Sequence, residues 1–368
     1  MNRKFFAIHS WLGLIGGIFI LILTMAGSLL LFAPEMEGDL PTVTNIRGGA
    51  RLPLDTLVAA VRGRYPDGAI SGFRSFPERE DRPYTIAMNR GGGLRMVLIS
   101  PYSGEIIRLV DFEETLPRKL LALHRSLFNR PWGELFVALF GVVLLLSTIT
   151  GAVFYRRAIL NVFRHGFRLR PRHLIANVHT TVGVLALLFN LVMAGTGIYL
   201  IWPVFGRILG GEKRDARPAV VKGYGSIDSM VAESRRVLPG FQPTGVMFPQ
   251  GKELLVRVMG TMAGTSVFLG EGSSSVTFTA DGAVKESVDI GAAPFSVRLD
   301  KVIRAVHFGG RWPLPVRLLY LLGGLAPGVL SISGFFLWRR RNQRGERRAD
   351  HLPVVLQPRE EMVEQVIS

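Results

Sequence analysis

The sequence predicts a membrane protein of four transmembrane helices built by tandem duplication, with two small α+β extracytoplasmic modules set between paired helices. Three observations lead there. The 368 residues are 48% hydrophobic with a mean hydropathy of +0.30, too apolar for ordinary soluble domains. Four windows, 10–32, 133–155, 180–201 and 316–338, are each long enough to cross about 30 Å of hydrocarbon at about 1.5 Å per residue. The stretch 124–157 also recurs without a gap 183 residues later: His124 falls on His307, Gly141 on Gly324, Gly151 on Gly334, Tyr155 on Trp338, and Arg156-Arg157 on Arg339-Arg340. A register held over 34 positions marks one structural unit used twice.

Residues 1–33 hold a short basic start and the first span. Its apolar run exceeds the core of a cleaved signal peptide, so a retained anchor is expected. Residues 34–132 form the first outer module. Leu54, Leu57, Val58 and Val61 share one helical face. Strands are expected at 84–88, 95–100 and 105–110, parted by Gly91-Gly92-Gly93 and by Pro101-Tyr102-Ser103-Gly104. An amphipathic helix at 116–128 then delivers His124 to the second span, 133–155. A basic loop (156–178) leads to the third span (179–202). The second outer module (203–315) has a helix at 226–238, strands at 253–259 and 275–279, and an amphipathic helix at 299–306 ending at His307. The fourth span (316–338) and a basic tail (339–368) complete the chain. The two outward spans also match: His9 and Gly13 parallel His179 and Gly183, and Met25-Ala26-Gly27 parallels Met193-Ala194-Gly195 with two residues fewer between.

The net charge is +16. Segments 156–172 and 339–348 each hold six arginines, and both follow the ends of inward spans. The positive-inside rule therefore makes them, and both termini, cytoplasmic. Contact with membrane lipid is expected and a nucleic-acid partner is not. The absence of cysteine excludes disulfides, iron–sulfur clusters and thiolate zinc sites. Only Glu134 and Arg317, at the rims, carry charge in the spans, which disfavours an ion-driven transporter. No hydrolase triad and no phosphate-binding loop is present, so no catalytic side chain is assigned.

Four of the seven histidines occupy equivalent places. His9 and His179 open the outward spans at one membrane face, and His124 and His307 precede the inward spans at the other. Paired imidazoles at the ends of packed helices suit axial ligation of a haem iron at each face, giving two b-type haems. A porphyrin needs small neighbours, and Gly13 and Gly183 lie one helical turn after their histidines. Gly16, Gly17 and Ala186 continue that surface, and Gly309 and Gly310 follow His307. Arg125, Arg311 and Arg3 are candidates to pair with haem propionates. Two alternatives stay open. An interfacial histidine is often only an amphipathic side chain in the headgroup region, and zinc or copper would find a poor donor set here.

The motifs His9-Ser10-Trp11-Leu12-Gly13-Leu14, Pro101-Tyr102-Ser103-Gly104-Glu105, Leu123-His124-Arg125 and Asn177-Val178-His179 resemble those of the PepSY-associated transmembrane helix family, which includes bacterial iron-regulated membrane proteins and ferric-siderophore reductases. Ala280-Asp281-Gly282 departs from the Pro-Tyr-Ser-Gly turn in the second module. The resemblance implies a bacterial inner-membrane protein with PepSY-like periplasmic modules. In the reductase branch it implies histidine-held haem b and electron transfer to a ferric siderophore or other Fe(III) chelate. No Gly-x-Gly-x-x-Gly fingerprint follows a soluble strand, so a separate cytoplasmic or quinol electron donor is expected. A membrane-anchored PepSY binding or regulatory module without redox activity is the competing expectation.

Overall fold

A computed structural model describes residues 3–36, 50–77, 79–165, 173–210, 224–248, 254–270, 272–310 and 312–350. Arg311, the loop residues 166–172 and the tail 351–368, on which parts of the sequence reading fall, lie outside them, as does the side chain of Arg3.

Four long apolar helices form a bundle: α1 (Arg3–Leu30), followed by the single turn α2 (Ala33–Met36), then α5 (Trp132–His165), α7 (Leu187–Leu209) and α10 (Leu314–Asp350). Helix α1 packs on α5 and α10, and α5 packs on α7. Their outer faces carry Ile15, Leu188 and Leu322 at 67%, 74% and 69% exposure. In water such faces would be costly, whereas lipid covers them, and an α-helix satisfies its own backbone there. The third span departs from the expected 180–201. It is divided at Ala186 (ψ 2°) into α6 (Leu174–Leu185) and α7, and only α7 is long enough to cross. His179 therefore rides on the shorter helix.

Above one end of the bundle stands a single antiparallel sheet. In chain order its strands are β1 (Ala69–Ser75), β2 (Tyr84–Arg90), β3 (Gly93–Ile99), β4 (Ile106–Asp111), β5 (Phe241–Met247), β6 (Val256–Met262), β7 (Ser274–Phe278) and β8 (Val284–Val288). In space they run β4-β3-β2-β1-β5-β6-β7-β8. Helices α3 (Leu54–Arg64) and α8 (Ile227–Val237) cover one face. They bury Leu57, Val61, Ile227 and Met230 against Phe73, Ile86, Val246 and Phe278. Helix α4 (Leu116–Ser126) and helix α9 (Phe295–Phe308) descend from the sheet to α5 and α10.

This corrects the expectation of two separate modules, because the two halves share one sheet and one core. The seam is the pairing of β1 with β5, Gly72 opposite Met247 and Phe73 opposite Val246. Neither strand is evident from its residues. Strand β1 carries Gly72 at φ +132°, and β5 carries Pro243 and Gly245. Those residues read as turn formers, but they make the seam possible. A Cβ on Gly245 would stand 2.8 Å from the Phe73 carbonyl oxygen, so only glycine lets the backbones meet. The pairing also removes two strand edges that would otherwise face solvent.

A second device holds the halves together. The Asp228 carboxylate accepts from the amides of Leu54 (2.9 Å) and Asp55 (3.0 Å) at the start of α3. Asp55 returns the arrangement, accepting from the amides of Ile227 (3.0 Å) and Asp228 (3.4 Å) and from Ser226 Oγ (2.6 Å) at the start of α8. Each helix is thus capped by the other half's aspartate. Burial opposes ionisation of Asp55, but the bonds from Ser226, Ile227 and Asp228 outweigh it and hold its carboxyl below the usual range. We expect Asp55→Ala and Asp228→Ala each to cost about 1–2 kcal/mol of stability, read as a lowered thermal midpoint. A carboxyl with a depressed folded pKa stabilises above its unfolded value. The wild-type midpoint should therefore fall as pH drops below about 4, and in Asp55→Asn that fall should be smaller.

Candidate functional site

Helix packing brings the four equivalent histidines together in two pairs, each taking one ring from each half. At the sheet end, His124 on α4 faces His307 on α9 with ring centroids 6.4 Å apart. At the far end, His9 on α1 faces His179 on α6 with centroids 6.1 Å apart. Leu23 and Gly27, which touch His124, lie 14 and 18 residues beyond His9 on α1. At about 1.5 Å per residue the two pairs are roughly 21–27 Å apart along the bundle.

Every one of these rings is held by its Nδ1, and always by its own half. Nδ1 of His9 lies 3.0 Å from the Ser147 carbonyl oxygen on α5, and Nδ1 of His124 lies 2.8 Å from the Leu23 carbonyl oxygen on α1. A carbonyl only accepts, so both nitrogens carry the proton. Nδ1 of His179 lies 2.9 Å from Ser333 Oγ on α10, and Nδ1 of His307 lies 2.9 Å from Thr196 Oγ1 on α7. Each hydroxyl already donates its one proton at 2.7 Å to a carbonyl of its own helix, Val329 and Val192. With the proton so placed, the hydroxyl accepts from the imidazole. The hydrogen-bond network thus assigns all four histidines the same tautomer, Nδ1–H, with Nε2 left as a lone-pair donor. That arrangement presents an imidazole to a metal ion.

Beneath each ring lies a glycine from the same helix that holds it. A Cβ would stand 2.7 Å from the His124 ring at Gly27, 3.1 Å from His9 at Gly151, 3.2 Å from His307 at Gly197 and 3.4 Å from His179 at Gly334. Sequence reasoning missed these roles, although Gly151 and Gly334 share the 183-residue register. Gly197 also corrects one alignment. It follows Gly27 at the same 170-residue offset as His179 follows His9, so Gly197, and not Gly195, is the counterpart of Gly27.

Several expected small neighbours serve other ends. Gly16 packs on Val143 and Gly17 on Ser331, which brings α1 close to α5 and α10. Gly309, at φ +62°, terminates α9 and packs on Tyr320 and Leu31. Gly13, one turn past His9, would meet nothing within 4 Å with a Cβ, and Gly183 would meet only Leu330, at 3.6 Å. Gly13 thus retains the open surface the sequence assigned it, whereas Gly183 faces Leu330 of α10. Arg125 is committed to Glu134 at 3.2 Å, which Arg130 also approaches at 3.3 Å. Glu134 is 3% exposed, so these two cations balance a buried carboxylate.

Burial lowers the basicity of both sheet-end rings. His124 is lowered by desolvation, against a raising bond to Leu23, and His307 is pushed down to about 4 by desolvation and by His124 beside it. Both imidazoles are therefore neutral near pH 7, as metal ligation requires.

The separations suit a shared metal. An imidazole nitrogen lies about 1.1 Å from its ring centroid and binds a transition metal at about 2.0 Å, so two imidazoles on one metal put their centroids about 6.2 Å apart. Among the described residues no group of three or more His, Asp or Glu side chains converges. A metal that takes four protein ligands is not served by two imidazoles. A metal already held in a planar macrocycle, needing only two further donors, would be served.

A family model for the PepSY-associated TM region matches residues 6–341. A search of curated proteins finds no match.

The tautomer assignment is directly measurable. Histidine-labelled protein freed of bound groups should give nitrogen NMR signals of Nδ1–H imidazole for these four residues near pH 7. Signals of the Nε2–H form at any of them would contradict the network.

Proposed function

Because the chain belongs to the PepSY-associated TM region family and is a multi-pass membrane protein, we propose that it binds two b-type haems and carries electrons across the bacterial inner membrane to reduce an Fe(III) chelate, such as a ferric siderophore, outside. The observation that carries this reading is the double histidine pair. Four imidazoles from two halves share one tautomer and stand at metal-sharing separation near both ends of a membrane bundle.

In this reading His124 and His307 would hold one haem iron and His9 and His179 the other. Bound there, haem supplies a one-electron Fe(III)/Fe(II) couple near each membrane face. The chain's residues do the remaining work. Ser147, Leu23, Ser333 and Thr196 orient the four rings through Nδ1, and Gly151, Gly27, Gly334 and Gly197 leave room for them. Between the two pairs the helices carry no charged residue, which favours a dry path. Reduction of the substrate Fe(III) lowers its charge and weakens oxygen-rich coordination, which frees the iron. The arginine-rich ends of α5 and α10 favour a cytoplasmic far end with both termini inside, and a periplasmic sheet. A separate reductase or quinol would then be the electron donor, meeting the chain at the end that holds His9 and His179. The parallel element order and equivalent hydrogen bonds of the halves support descent from a duplicated unit, each half with one PepSY-like module.

Detergent-purified protein should show reduced-minus-oxidised b-haem bands. His124→Ala or His307→Ala should remove about half of the absorbance, and His9→Ala should remove the other half. Gly27→Val, which drives a side chain into the His124 ring, should match His124→Ala. Colourless protein that takes up no added haem would end this reading.

A further inference from the structure

In each pair the first-half ring donates to a backbone carbonyl and the second-half ring meets a hydroxyl, but only at the sheet end does the first half lack a hydroxyl at the equivalent position. At the far end both halves place a hydroxyl in the same position, since Thr150 and Ser333 stand 183 residues apart. Ser333 Oγ receives His179 Nδ1 at 2.9 Å, and Thr150 Oγ1 lies 3.5 Å from His9 Nδ1 beside the carbonyl that takes its proton. At the sheet end the equivalence breaks. Thr196 stands 170 residues after Ala26, so His124 has no hydroxyl to meet and donates straight to the Leu23 carbonyl. His307 donates to Thr196 Oγ1, whose own proton goes to Val192 and whose oxygen lies 3.2 Å from the Met193 carbonyl. Met193 is the counterpart of Leu23 at the same offset. The hydroxyl is therefore inserted between His307 and the backbone acceptor its partner ring uses directly.

We infer that Thr196 is a positioning residue that sets the donor strength of His307 and thereby the reduction potential of the sheet-end metal alone. The inference rests on the haem reading above. A hydroxyl that donates to one carbonyl becomes a better acceptor for the next donor in the chain. An Nδ1–H that gives its proton to a good acceptor leaves more electron density on Nε2, which favours the oxidised metal. Removal of the hydroxyl favours the reduced form. Because Thr196 hydrogen-bonds to His307 and to neither His9 nor His179, the far-end couple stays where it was.

The test is a redox titration of haem-loaded protein followed by optical spectroscopy, with the two couples assigned from His124→Ala and His9→Ala. Thr196→Val keeps the shape and removes the oxygen. It is expected to shift the sheet-end equilibrium toward the reduced form by about tenfold, about 59 mV for a one-electron couple. The far-end couple is expected not to move, and Thr196→Ser is expected to restore the wild-type value. Loss of the sheet-end haem from Thr196→Val with retention in Thr196→Ser also supports the inference. It is overturned if neither couple moves, if both move together, or if Thr196→Ser behaves as Thr196→Val does. Wild-type protein that binds no haem removes the underlying reading as well, which separates the two failures.

Discussion

The arrangement depends on where four imidazole protons go. Each histidine gives its Nδ1 proton to a helix of its own half, and its ring stands 6.1 or 6.4 Å, centroid to centroid, from a ring of the other half. A buried imidazole with an unmet N–H would be costly, on the order of 1–3 kcal/mol. The bond is therefore a folding constraint as well as a chemical one. It docks α1 on α5, α4 on α1, α6 on α10 and α9 on α7, and it decides which nitrogen is available to a metal. One half alone supplies single imidazoles; two halves supply pairs.

That division of labour explains why the halves are joined so firmly away from the membrane. The β1–β5 seam and the exchanged aspartate caps lie between the two sequences, not within either. If the halves slid by one residue at the seam, Phe73 and Val246 would leave the shared core. The sheet thus sets the relative position of α4 and α9, which carry His124 and His307. The far pair has no sheet near it and relies on α1 lying against α10 through Gly17 and on α6 against α10 through Gly183.

The site is electrically quiet by construction. The apolar parts of its helices carry no acidic or basic residue between the two histidine pairs, and a buried acid, Glu134, is balanced by Arg125 and Arg130. Charge is kept at the bundle's ends, where Arg317 pairs with Glu35 at 2.6 Å near the sheet and the arginines of α5 and α10 crowd the far end. A low-dielectric interior between the two histidine pairs would make any isolated charge felt at both, and the sequence carries none there.

Four apolar spans, the third of them displaced to Leu187–Leu209, and the four histidines were legible in the sequence. Each is written as a local pattern: apolar length, fixed offset, or a rare residue at a helix mouth. The helix 54–64, the strands near 84 and 95 and the amphipathic helix before His124 were legible for the same reason. What tertiary structure decided was everything that joins distant segments. The glycines beneath the rings face a histidine on another helix, so no spacing along one helix reveals them. Strands β1 and β5 hide behind glycine and proline that suit only their partner's backbone. The commitment of Arg125 to Glu134 and the insertion of Thr196 at His307 depend on how two helices rotate against each other. Helix rotation is set by the packing of many small contacts, which no single stretch of this chain encodes.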